Sequence, residues 1–136
     1  MPRPAQGRLF APCSSTGTIR RHPDIPYLKS PKDIEALAAL QGRLLDNATA
    51  LLKPGGTLVY STCSLELEEG EAQIAALLAR NSGVQVDPIL PADVFGQPDW
   101  LQSPGFLRTF PYQLDLGTPE WSGMAGFFAA RLKRKK

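Results

Sequence analysis

Residues 30–62 constrain this chain more than any other stretch, because they set out a helix, a hard stop and a strand in direct succession. Ile34, Leu37, Ala38, Gln41, Leu44, Leu45, Ala48, Leu51 and Leu52 recur at three- and four-residue spacing. That stripe predicts an amphipathic helix from about Pro31 to Lys53. Ser30 suits its N-cap, Pro31 the first helical position and Asp33 the acid of a capping box. Lys53-Pro54-Gly55-Gly56 stops it, and Thr57–Thr62, β-branched and aromatic between glycines, predicts a buried strand.

The rest of the chain extends this pattern. Glu66, Glu68, Glu69 and Glu71 precede Ile74, Leu77 and Leu78, which predicts a second helix capped by its acids and ending near Asn81-Ser82-Gly83. Val84–Leu90 suits a further strand, pushed toward an edge by Pro88. Leu107–Phe110 suits a short strand and Phe127–Leu132 the last one, with 133–136 a solvated basic tail. Near the start, Arg8-Leu9-Phe10-Ala11 is a short apolar stub. The order indicates α/β layering with a parallel component.

Size allows one domain, since 136 residues rarely hold two cores. Hydrophobic residues at 43% and charged residues at 21% argue against wholesale disorder. No stretch approaches the roughly 18 apolar residues of a membrane span, and the chain reads as cytoplasmic with no membrane partner. Two cysteines and one histidine are too few for a disulfide scaffold or a structural zinc site, so no metal is expected. The net charge of +2 hides an asymmetry: residues 1–32 carry +5 and residues 33–136 carry −3. A basic N-terminal segment fits a polyanionic partner such as RNA, or simply a solvated loop.

Each thiol ends something. Ala11-Pro12-Cys13-Ser14 turns out of the apolar stub, and Thr62-Cys63-Ser64 closes the strongest strand. Ligands of open α/β sheets bind at that carboxyl end, so the two thiols either share one cleft or are both buried as small hydrophobes.

APCSSTGTIRRHPDI, LLKPGGTLVYSTCS, the acidic EEGE run and the terminal GFFAARL together resemble the RNA (cytosine-5) methyltransferases of the Sun/Fmu family, in their bacterial ribosomal RNA branch. The resemblance spans about residues 9–134. It implies the C-terminal half of a Rossmann-like class I methyltransferase sheet, with mixed strands, an antiparallel last strand and flanking helices. It implies S-adenosylmethionine as cofactor and ribosomal RNA as partner. Cytosine C5 is a poor nucleophile until a thiolate adds at C6, and the family assigns that attack to the residue matching Cys63. The residue matching Cys13 helps to release product. Pro12, Ser14, Arg20, Arg21 and His22 would face the substrate, although His22 also suits a turn or helix start.

Three departures qualify the match. No glycine-rich strand-to-helix turn precedes Cys13, which points to a truncated fragment lacking the cofactor half. The family's Asp-Ala-Pro-Cys reads Phe10-Ala11-Pro12-Cys13, and its Gly-Met-Asp-Gly-Phe reads Gly123-Met124-Ala125-Gly126-Phe127. Two acids near the expected site are therefore lost. The expectation is a chain inactive alone, or else a noncatalytic remnant that binds RNA or protein. With strands missing, an exposed sheet edge would favour a homodimer or a complementing chain. A thiol redox protein is disfavoured by the absence of Cys-x-x-Cys.

Overall fold

The computed structural model describes residues 3–14, 31–94, 100–102, 105–109 and 126–136. Among these residues six strands form one mixed sheet: β1 (Gln6–Phe10), β2 (Thr57–Thr62), β3 (Val84–Val86), β4 (Leu101–Gln102), β5 (Phe106–Thr109) and β6 (Phe127–Arg134). Helices α1 (Pro31–Leu51) and α2 (Glu71–Arg80) accompany it, with 3-10 turns at Leu67–Glu69 and Pro91–Val94. The strand order is β1-β2-β6-β5-β4, with β3 also paired to β6. Among the described residues only β1 and β2 run parallel, and every pairing of β6 is antiparallel.

Strand β6 is the spine. One edge pairs with β2 from Phe128 to Lys133, and the other serves β5 near Phe127–Ala129 and β3 near Leu132–Arg134. The core lies on the face where Leu58, Tyr60, Phe128, Ala130 and Leu132 meet Leu45, Ile74 and Leu77 of the helices. Phe128 anchors it, with Tyr60 and Phe106 rings edge-on at 6.3 and 5.4 Å.

Several boundaries differ from the sequence reading. The last strand runs through Arg134, so two residues expected in a basic tail belong to the sheet. The Arg134 guanidinium is drawn onto the carbonyls of Ala50 and Leu52 at the end of α1. Strand β3 stops at Val86 rather than Leu90, since Pro88 has no N–H to offer a ladder. The acid run does not cap α2: its N-cap is Gly70, with no side-chain cap. Phe110 and the Gly123–Ala125 motif lie outside the described residues.

Candidate active site

Two parallel strands end together, and each end carries a thiol. Phe10 of β1 is in register with Ser61 of β2, and the Ala11 N–H continues the pairing onto the Ser61 carbonyl at 2.9 Å. Pro12-Cys13 and Cys63 therefore leave the carboxyl edge side by side. Their sulfurs lie 3.4 Å apart, and both residues are half-buried. Adjacent strands alone would have placed them within roughly 10 Å. Of the two readings left open by the sequence, the geometry brings the thiols into one place and leaves both partly accessible.

Buried polar groups hold this edge. Glu69 is fully buried, and its carboxylate accepts four hydrogen bonds. The Ser14 N–H and Gln41 Nε2 donate to Oε2, each at 2.9 Å. Ser64 Oγ donates to Oε1 at 2.8 Å, and Ser14 Oγ donates to the same oxygen. Gln41 uses its second N–H on the Pro12 carbonyl at 2.7 Å. From below, the Tyr60 hydroxyl donates to the Glu69 carbonyl at 2.8 Å. Burial pushes the Tyr60 phenol above its ordinary range, and the nearby Glu69 and Cys13 push the same way. Tyr60 therefore stays a neutral donor.

A second support comes from β5. Arg108 is buried and donates to the Ser64 carbonyl and to both oxygens of Glu71. Its guanidinium lies 4.9 Å from the centroid of the Phe128 ring. The Cys63-Ser64 turn is thus held through the Ser64 hydroxyl on one side and its carbonyl on the other.

The expected substrate-facing residues divide. Pro12 is exposed, with only its carbonyl turned inward. Ser14, expected to meet substrate, is instead fully buried and points at Glu69. Arg20, Arg21 and His22 lie outside the described residues. Phe10 is 64% exposed, and its ring stands 6.4 Å from that of Phe127. Glu69, Gln41 and Arg108 were missed by sequence reasoning. The one usable signal was Gln41, a polar residue in the apolar stripe of α1.

The model of the 16S rRNA methyltransferase RsmB/F family matches residues 8–133. The chain belongs to that family. Ribosomal RNA small subunit methyltransferase B of Klebsiella pneumoniae (strain 342) is 44% identical over 128 residues, covering 94% of this chain and 26% of that protein. The protein of the same name from Shewanella oneidensis is 47% identical over 97 residues, which is 71% of this chain and 23% of its own length. NSun6 from Pyrococcus horikoshii, solved with SFG, is a structural neighbour. It shares a TM-score of 0.68 at 29% identity, covering 95% of this chain and 29% of that one. The chain spans about a quarter of the length of these curated RsmB relatives. Both the Sun/Fmu resemblance and the partial Rossmann-like methyltransferase sheet are borne out.

Proposed function

We propose that this chain is the substrate side of an RNA cytosine-5 methyltransferase acting on ribosomal RNA, with Cys63 the nucleophile and Cys13 the thiol that helps to release product. The observation that carries this reading is the 3.4 Å thiol pair at the ends of adjacent parallel strands in an RsmB/F chain. In that role the Cys63 sulfur bonds to cytosine C6, and the C5=C6 π pair moves onto C5. Cys13 sits close enough to act on the same adduct. Exposed Pro12 borders it, and we assign Arg20, Arg21 and His22 to the RNA on the family match alone.

The family's methyl donor is S-adenosylmethionine, which supplies the methyl group when bound. Its usual cradle is a glycine-rich strand-to-helix turn. Among the described residues, the turns at the carboxyl edge of β1 and β2 read Ala11-Pro12-Cys13-Ser14 and Cys63-Ser64-Leu65, without glycine. Their buried Ser14 and Ser64 groups are spent on Glu69 and Arg108. These residues do not fit the cofactor, and no step is assigned to it. The chain alone is expected to give no micromolar binding of S-adenosylmethionine by calorimetry, and such binding would overturn that expectation.

Phe10 supports inactivity of the chain by itself. An acid at that position would hydrogen-bond the cytosine edge, and a phenyl ring neither donates nor accepts. Losing one preorganised polar contact costs on the order of 10²–10³ in rate. Exposure of the same ring favours a second reading, a noncatalytic surface that binds RNA or protein.

RNA containing 5-azacytosine tests both, because that electrophilic ring accepts a thiolate at C6 without methyl transfer. The chain should form no adduct, and Phe10→Asp should form one at Cys63, located by peptide mass spectrometry. An adduct at Cys13 would overturn the assignment of roles. An adduct from the unaltered chain would overturn its inactivity. RNA binding with no adduct from either would favour the noncatalytic reading.

A further inference from the structure

Glu69 touches the residue that follows each thiol. Ser14 follows Cys13 and gives Glu69 both its N–H and its hydroxyl; Ser64 follows Cys63 and gives its hydroxyl. Gln41 joins the knot from α1 and ties in the Pro12 carbonyl at 2.7 Å. To do so it leaves its own buried Oε1 without a partner among the described residues. The four donors converge two to each carboxylate oxygen, the full accepting capacity of that group. Segments 28 and 55 residues from Glu69 in sequence are thereby pinned to one buried point.

We propose that Glu69 is the positioning residue that sets the separation of the Cys13 and Cys63 sulfurs. It acts through Ser14 and Ser64, and deepens the reading of these thiols as a catalytic pair. The fixed requirement is an accepting oxygen at the Oε2 position. The Ser14 N–H and the Gln41 amide cannot turn round, so Oε2 must accept from both. The hydroxyls of Ser14 and Ser64 can turn, so Glu69→Gln with its oxygen at the Oε2 position keeps most of the knot. Glu69→Ala removes it and takes the shared acceptor away from all four donors.

The test measures thiol geometry without RNA, cofactor or turnover, so failure of the methyltransferase reading leaves its outcome separate. Phenylarsine oxide condenses with two neighbouring thiols, forming two As–S bonds and releasing water. Its affinity, read by competition with dithiothreitol, reports how well the second sulfur is held near the first. Glu69→Ala should weaken capture by at least about tenfold through loss of effective concentration, and Glu69→Gln should restore most of it. Leu77→Ala, a core truncation remote from the knot, should lower the melting temperature while leaving capture by the folded protein unchanged. Should Glu69→Ala fail to fold, the Ser14→Ala/Ser64→Ala double variant carries the test, with the same tenfold loss expected. Wild-type capture in Glu69→Ala, or in the double variant, would overturn the proposal. So would an equal loss in Leu77→Ala.

Discussion

Arg108 is a cation at 3% exposure, sustained by the Glu71 carboxylate, the Ser64 carbonyl and the Phe128 ring. Burial works against the charge of Glu71, but hydrogen bonds from Arg108 and Gln102 outweigh it and hold the carboxyl below its ordinary 4.5. A carboxyl depressed by folding stabilises the protein above its unfolded pKa, and that contribution drains away as pH falls through the folded value. Stability should therefore decline as pH drops below about 4.5. Glu71→Gln should remove that part of the slope. At neutral pH it should cost about 3 kcal/mol, because Arg108 is left buried without its counter-charge. Urea unfolding of both proteins at several pH values checks this, and an unchanged acid slope in the variant would show that the pair does not carry it. Glu69 and Glu71, two residues apart in one acidic run, hold different partners that meet at Ser64. Nothing in the run itself separates them from the exposed Glu68, which is why sequence reasoning gave all four acids one capping role.

At the scale of elements, Gly70 is the joint between the 3-10 turn that carries Glu69 and helix α2. A Cβ there would stand 2.7 Å from Arg108 Nη2 and 3.0 Å from Phe128 Cγ. Neither neighbour can retreat, since Arg108 is tied to Glu71 and Ser64 and Phe128 is fully buried. Gly70→Ala should cost about 2–3 kcal/mol by overpacking, read as a lower urea midpoint. A change under about 0.5 kcal/mol would mean that the joint is looser than this packing implies. The elements around it were legible to different degrees. Strand β2 matched its expected residues because a β-branched run between glycines has few alternatives. Helix α1 ended at Leu51, which is exposed, while Leu52, the last residue of the expected stripe, is buried just past the helix end. Strand β4 was missed, although Pro104-Gly105 before Phe106 is a turn signal; Gly105 sits at φ +124° with its N–H on the Gln102 carbonyl. The thiol pair was legible because both cysteines end strands. The knot beneath it was not, because its partners meet only through the finished sheet.

The whole sheet presents β1 as an edge: among the described residues it pairs only with β2, and its exposed positions are Gln6, Arg8 and Phe10. An edge with no second neighbour among the described residues invites another strand, and two copies joined antiparallel across a twofold axis are the simplest closure. The residue at the middle of β1 is Arg8, so a centred self-pairing sets Arg8 opposite Arg8. Like charges directly opposite are destabilising in a ladder, and a cation on an edge strand is a recognised guard against self-association. The charge should therefore disfavour pairing with its own copy and favour a strand with an acid or a neutral residue at that position. Sedimentation should find the chain chiefly monomeric at low salt, with dimer increasing as salt screens the two guanidinium groups. Arg8→Glu should also be monomeric alone, for the same reason with the sign reversed. Mixing it with the unaltered chain should produce a heterodimer that weakens with salt. A tight homodimer of the unaltered chain at low salt, or no association in the mixture, would show that β1 is not the edge through which this molecule recruits a partner.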